Sequence, residues 1–193
     1  MIATEFLLHS DFLPKAKADN YLNELLDAIE WRQDTLRIFG REHPIPRLHQ
    51  WHADKDISYC WSGLNMRPQN WVAPLDSLRE MLCEHTGHRF NSVLANLYRD
   101  GNDSMGWHAD NEPELGNEPV IASISLGAER DFQIRRCQKG AKKRHGPAIN
   151  MLLPHGSLLL MSGASQRDWQ HALPKRRRIM LPRVNLTFRL IEH

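Results

Sequence analysis

From about Phe90 to the C-terminus the chain breaks into short runs rich in Val, Ile and Leu, parted by Asp100-Gly101, Gly127, Gly140, Pro154-His155-Gly156 and Gly163. Runs of that length between turn residues predict strands rather than helices. So many short strands in one stretch leave few ways to close a core, and a β-sandwich or jelly roll is the natural one. The preceding part predicts helices that support it. From Pro14 to Ile29, the apolar Ala18, Tyr21, Leu22, Leu25, Leu26 and Ile29 recur at spacings of three and four, an amphipathic helix opened by proline. A second helix is predicted from Pro74 to His85. There Leu75, Leu78, Met81 and Leu82 share a face, and Gly87 is placed to end the helix in a left-handed conformation. The expectation is a mainly β protein with supporting α, one domain over 1–193, with a helical part at 1–89 and the strand-rich core at 90–193.

Composition narrows the class. A chain of 193 residues buries on the order of 70% of its unfolded surface in one core, so neither disulfides nor a second domain is required. Cys60, Cys83 and Cys137 are odd in number and far apart, which argues against a disulfide framework or a thiolate zinc site. The apolar stretch Leu158-Leu159-Leu160-Met161 falls far short of the roughly 20 residues a spanning helix needs. The opening Met1-Ile2-Ala3-Thr4-Glu5 has no basic region before an apolar core, so the expected location is intracellular, cytoplasmic. Without a heptad pattern, the expected state is a monomer.

Charge is distributed unevenly. Residues 1–134 carry 12 basic and 21 acidic side chains, whereas residues 135–193 carry 13 basic and 2 acidic. A basic third on an otherwise acidic chain points to a polyanionic partner, with nucleic acid the first candidate. Two clusters supply most of it: Arg135, Arg136, Lys139, Lys142, Lys143 and Arg144, then Lys175-Arg176-Arg177-Arg178. Taken alone, both clusters also fit solvated loops.

Three patterns carry chemistry. In His108-Ala109-Asp110 an imidazole and a carboxylate stand two residues apart, and an extended segment points both to one face. One more imidazole completes a 2-His-1-carboxylate triad that occupies one face of an octahedral Fe(II), and His171 is the choice for it among eleven histidines. Arg183 through Leu190 alternates strictly, with Val184, Leu186, Phe188 and Leu190 on one side and Arg183, Asn185, Thr187 and Arg189 on the other. The two arginines lie six residues apart, roughly 20 Å of strand, and their long side chains can converge on the two ends of a short dicarboxylate. A solvent-facing edge strand would show the same alternation. Asn96 and Tyr98, again two apart, add an amide and a phenol.

Taken together and in this order, four segments resemble the AlkB family of Fe(II)- and 2-oxoglutarate-dependent dealkylating dioxygenases. They are Asn96-Leu97-Tyr98-Arg99-Asp100-Gly101, His108-Ala109-Asp110, Trp169-Gln170-His171 and Pro182 through Arg189. The resemblance runs from about Ile38 to Ile191. It implies a double-stranded β-helix, a jelly-roll barrel with N-terminal helices whose lumen holds the metal. It also implies His108, Asp110 and His171 as catalytic iron ligands, and Asn96, Tyr98, Arg183 and Arg189 as 2-oxoglutarate contacts. Arg183 is then expected at the distal carboxylate and Arg189 near the iron-chelating end. Trp107 and Trp169, next to metal ligands in sequence, either orient them or simply pack.

Within the family the chain is most similar to members that repair duplex DNA. Ser58-Tyr59-Cys60-Trp61-Ser62-Gly63-Leu64 resembles the stretch that places aromatic rings over the target base. Stacking a cationic methylated base on Trp61 would add about 0.5–2 kcal/mol of cation–π attraction, and Tyr59 shares its face. Glu112 is placed to accept from the exocyclic amine. Ile38-Phe39-Gly40 resembles the apolar finger, with Phe39 at its tip, that enters the base stack when a nucleotide is flipped. Arg135 to Arg144 sits where those members carry a DNA-gripping loop. The implied function is direct repair: oxidative demethylation of N-alkylated bases such as 1-methyladenine and 3-methylcytosine in DNA. It would consume Fe(II)-bound 2-oxoglutarate and O2 and release succinate, CO2 and formaldehyde. The competing expectations are the same chemistry on RNA, single-stranded DNA or protein, and a non-enzymatic jelly-roll module that binds nucleic acid.

Overall fold

The computed structural model of the chain describes residues 4–38, 40–55, 57, 59–61, 64–66, 68–138 and 144–192. In chain order the N-terminal part runs β1 (Phe6–His9), α1 (Lys15–Ala28), β2 (Thr35–Ile38), β3 (Arg41–Pro44), β4 (Leu48–Ala53), β5 (Tyr59–Trp61), β6 (Leu64–Met66) and α2 (Ala73–Thr86). Then follow β7 (Ser92–Tyr98), β8 (Met105–His108), β9 (Ile121–Gly127), β10 (Arg130–Gln138), β11 (Arg144–His145) and β12 (Ile149–Leu153). The chain closes with β13 (Ser157–Met161), α3 (Ser165–Asp168), β14 (Trp169–Leu173) and β15 (Arg183–Arg189).

Both helices form where the periodicity places them. Ala18, Tyr21 and Leu25 of α1 and Leu75, Leu78 and Leu82 of α2 are buried. Gly87 caps α2 at φ 71°, a backbone angle that favours glycine, and its N–H donates to the Cys83 carbonyl.

The strands make two facing antiparallel sheets. The major sheet has the order β1-β13-β9-β15-β7-β4, and the minor sheet β11-β10-β14-β8 with β12 on the other edge of β10. Two small hairpins, β2–β3 and β5–β6, stand apart. The N-terminal part is therefore more than a helical layer: β1 pairs with β13 and β4 with β7, so it supplies both edges of the major sheet.

The four inner strands of the major sheet, β13, β9, β15 and β7, have one face to the helices and one towards the minor sheet. Val93, Ala95, Leu97, Ile124, Val184, Leu186 and Phe188 pack with the leucines of α1 and α2. Phe6, Ile121, Leu159 and Met161 pack instead on Phe132, Ile134 and Trp169 of the minor sheet. β15 lies in the middle of its sheet, between β9 and β7, and all seven of its residues are buried, so the solvent-edge reading of its alternation falls away. Leu190, expected on the apolar side of that strand, lies just past its end and is 41% exposed.

Candidate metal and dicarboxylate site

Between the sheets a cavity opens onto side chains from both walls. His108, the last residue of β8, and His171 of β14 are register partners, and their ring centroids lie 4.2 Å apart. Asp110 follows just beyond β8. One donor atom from each of His108, Asp110 and His171 lies within 4.8 Å of the other two, as the His-x-Asp spacing plus a second imidazole predicts.

Each member of this triad is oriented by a neighbour. The Nδ1 of His108 lies 2.9 Å from the Gly106 carbonyl, which fixes the proton there and turns Nε2 towards Asp110 Oδ1, 3.7 Å away. The Asp110 backbone N–H donates to Gln166 Oε1 at 2.9 Å, and Arg189 Nη2 donates to Asp110 Oδ2 at 2.6 Å. Phe132 stacks on the His171 ring at 5.2 Å.

Burial disfavours the Asp110 charge, but Arg189, His171 and His108 outweigh it and hold the carboxyl well below the usual range. Burial, with His108 beside it, pushes His171 down to about 3. An ionised carboxylate and a neutral imidazole are the protonation states a divalent metal requires.

The other end of the cavity is cationic. Arg183, Asn185, Thr187 and Arg189 all face it, so the polar side of β15 is the cavity wall. Asn96 and Tyr98 of the adjacent β7 face it as well. Arg183 donates from Nη2 to Ser125 Oγ at 2.9 Å, its guanidinium carbon stands 5.4 Å from the centre of the Tyr98 ring, and its Nε has no hydrogen-bond partner among the described residues. Burial pushes Arg183 down only to about 10, so it stays charged near neutral pH. Asn185 is held by Ser123 Oγ and the Ile124 carbonyl, and Thr187 donates to its Oδ1.

The residues fit both groups that the resemblance implies. Two imidazoles and a carboxylate facing one point suit a divalent iron with sites left over. A buried guanidinium with an unused donor, remote from a second guanidinium at the triad, suits a short dicarboxylate chelated at one end.

Sequence reasoning missed two buried arginines. Arg47 lines the cavity and donates from Nε to Asn96 Oδ1 at 2.8 Å, which turns the amide's own N–H donors away from it. Nothing in the local sequence marks it. Arg130, 1% exposed, donates to the carbonyls of Asp100, Asp103 and Pro174. Its place on the strand face of Phe132 and Ile134 marks a position that faces inward, but the carbonyls that receive it come from other segments, so the alternation alone does not make it legible.

Phe39 and the side chains of Tyr59 and Trp61 lie outside the described residues, as do Lys139, Lys142 and Lys143 and the side chain of Arg144. Glu112 is half-buried at the start of a 3-10 turn (Pro113–Leu115) and is not among the residues lining the cavity. Trp169 packs edge-on against Phe6 in the core, and Trp107 stacks under Arg135. In the second basic cluster Lys175, Arg177 and Arg178 are exposed, while Arg176 is tied to Asp131 at 2.5 Å.

A jelly roll whose facing sheets hold a two-histidine, one-carboxylate triad at one end of a cationic cavity has the arrangement of a metal-dependent, dicarboxylate-using oxygenase. Comparison with known proteins identifies which: the chain belongs to the 2OG-Fe(II) oxygenase superfamily, whose profile matches residues 5–189. Its cofactors are Fe(II) and 2-oxoglutarate. Over 182 residues it is 42% identical to the mouse DNA oxidative demethylase ALKBH2, covering 92% of this chain and 76% of that protein. It is 40% identical over 191 residues to the mouse alpha-ketoglutarate-dependent dioxygenase alkB homolog 3, covering 95% of this chain and 65% of that protein. The solved structure of OsALKBH1 superposes with a TM-score of 0.69 at 14% identity, covering 98% of this chain and all of the other, which shows the shared fold.

Proposed function

We propose that the protein demethylates N-alkylated bases in DNA by oxidation, with Fe(II) held by His108, Asp110 and His171. The observation that carries this reading is the geometry of one cavity: three metal-ready donors within 4.8 Å at one end and the buried, under-used Arg183 at the other. Similarity to a DNA oxidative demethylase supplies the substrate class.

When bound, iron and 2-oxoglutarate supply the oxidation of the N-alkyl carbon by O2, releasing succinate, CO2 and formaldehyde. The chain's own residues bind, aim and exclude. His108 presents Nε2 because Gly106 holds its Nδ1 proton. Arg189 keeps Asp110 ionised and, held at the triad, would meet the chelating end of 2-oxoglutarate. Arg183 would hold the distal carboxylate with charge-assisted bonds. Asn96 and Tyr98 line the wall between, with the Asn96 amide set by Arg47. The minor-sheet side chains Phe132, Met105 and Leu173 make the remaining wall apolar and limit water at the reacting end.

Tyr59 and Trp61 are assigned to stacking on the target base, Glu112 to its exocyclic amine and Phe39 to the base stack. These assignments rest on the sequence resemblance. Duplex DNA is the proposed partner, acted on by a monomer inside the cell. Among the described residues no helix is long and apolar enough to cross a membrane.

The test is mass spectrometry of a 1-methyladenine duplex incubated with protein, Fe(II), ascorbate and 2-oxoglutarate, beside a control without 2-oxoglutarate. Cosubstrate-dependent loss of the methyl group is expected. Succinate formed without methyl loss would overturn the duplex substrate and send the same assay to single strands and RNA.

A further inference from the structure

The strand that carries His108 is held weakly by its backbone. β8 ends the order β11-β10-β14-β8, and its pairing with β14 comes down to His171↔His108 and Leu173↔Met105 with a register shift between them. A metal site tolerates little slack in the distance between its ligands, and here two of them sit across this one irregular pairing.

Arg135 of β10 bridges both strands. Its Nε and Nη2 donate to the same oxygen, Gln170 Oε1, at 3.1 and 2.8 Å, and Gln170 is its register partner on β14. Its guanidinium carbon lies 4.2 Å from the centre of the Trp107 ring on β8. Neighbouring strands stand about 4.8 Å apart, so reaching from β10 to β8 crosses roughly 10 Å. Arginine spans that distance, and its planar fork can bond an amide while its face lies on an indole. Gln170 and Trp107 are the residues immediately before His171 and His108.

We propose that Arg135 is a positioning residue for the metal centre, a strut that ties β8 to β14 and so sets the two histidines relative to each other. The proposal rests on the reading of His108, Asp110 and His171 as the metal ligands. It also separates Arg135 from the phosphate-contact role expected of the basic stretch it opens, because Nε, Nη2 and one face of its guanidinium are held by Gln170 and Trp107.

The test measures Co(II) affinity of the metal-stripped full chain by absorbance, the charge-transfer band of the anaerobic Fe(II)–2-oxoglutarate complex, and binding to a methylated duplex at several salt concentrations. Arg135→Ala and Arg135→Lys are each expected to weaken Co(II) binding about tenfold or more and to shift or weaken the band. Thermal stability, duplex affinity and its salt dependence should stay at the wild-type level. The lysine variant is informative because it keeps the charge and loses the fork. Wild-type Co(II) affinity in both variants overturns the proposal. So does a flatter salt dependence with unchanged metal affinity, which would make Arg135 a phosphate contact. Should Arg135→Ala lower the melting temperature, Gln170→Ala decides: it removes only the acceptor, and unchanged metal affinity there overturns the strut. His108→Ala keeps the two readings apart, since a wild-type protein that binds no Co(II), or binds it equally after this substitution, defeats the metal assignment itself.

Discussion

Arg183 is 2% exposed on a strand buried along its whole length, and its neighbours use only part of its five-donor fork. Burying a guanidinium costs free energy unless an anion repays it. Arg183→Ala is therefore expected to raise the 2-oxoglutarate KM about ten- to hundredfold, the loss of charge-assisted bonds worth roughly 1.5–3 kcal/mol. His108→Ala is expected to abolish metal binding and turnover together. A wild-type KM for 2-oxoglutarate in Arg183→Ala, or succinate production at the wild-type rate by His108→Ala, would remove that residue from its role. The His108–Asp110 pair and the arginine pair were legible in the sequence because both follow from short periods along the chain, whereas His171, on another strand, rested on the resemblance. Arg47 and Arg130 were not legible, because what makes a buried cation tolerable is tertiary. The carbonyls that receive Arg130 come from residues 100, 103 and 174, which only folding assembles.

Elements were legible where apolar periodicity was clean. Both helices and the strands after Phe90 follow their patterns, whereas β4 does not, for a physical reason. Its Leu48-His49-Gln50-Trp51-His52-Ala53 reads as polar, yet all but Leu48 are fully buried. Each polar side chain finds a specific partner: His49 lies 3.2 Å from Asp34, Gln50 donates to the Glu30 carbonyl, and His52 Nδ1 donates to the Asn70 carbonyl. Partners from other segments replace the alternation a sequence would show. The turn between β14 and β15 is fixed in a comparable way. Gly101 N–H donates to the Ile179 carbonyl and the Gly101 carbonyl accepts from Arg176, so close that an added Cβ would stand 1.7 Å from the Arg176 carbonyl oxygen. Gly101→Ala is expected to destabilise the fold by about 1–3 kcal/mol in urea denaturation, since the obstructing atom is backbone and must shift. A wild-type midpoint would show that the turn is not held there.

At the scale of the whole molecule, burial sets the response to pH. Burial lowers the pKa of His49, against a partial offset from Asp34, and that of His52 below the ordinary 6.5. As pH falls through 6.5 the unfolded chain takes up protons before the folded one, so stability is level above that value and declines below it. The melting temperature of the metal-free protein should therefore fall from about pH 6.5 downwards. His52→Asn, which keeps a donor for the Asn70 carbonyl, should soften the fall; an unchanged profile would clear His52 of any part in it. The uneven charge is read through salt. If the exposed Arg177 and Arg178 contact phosphates, replacing either by alanine should weaken duplex binding alike for all sequences. Each loss should also flatten the plot of log affinity against log salt by about 0.9. Equal slopes would leave that turn a solvated corner. β15 joins these scales. Its side chains alternate with a period of two, so one residue inserted or lost between Arg183 and Arg189 would swing an arginine into the layer of leucines under the helices. Side chains along the wall can be exchanged singly, but the reach between the two cationic anchors is a count of residues, a gauge that drift cannot adjust by degrees.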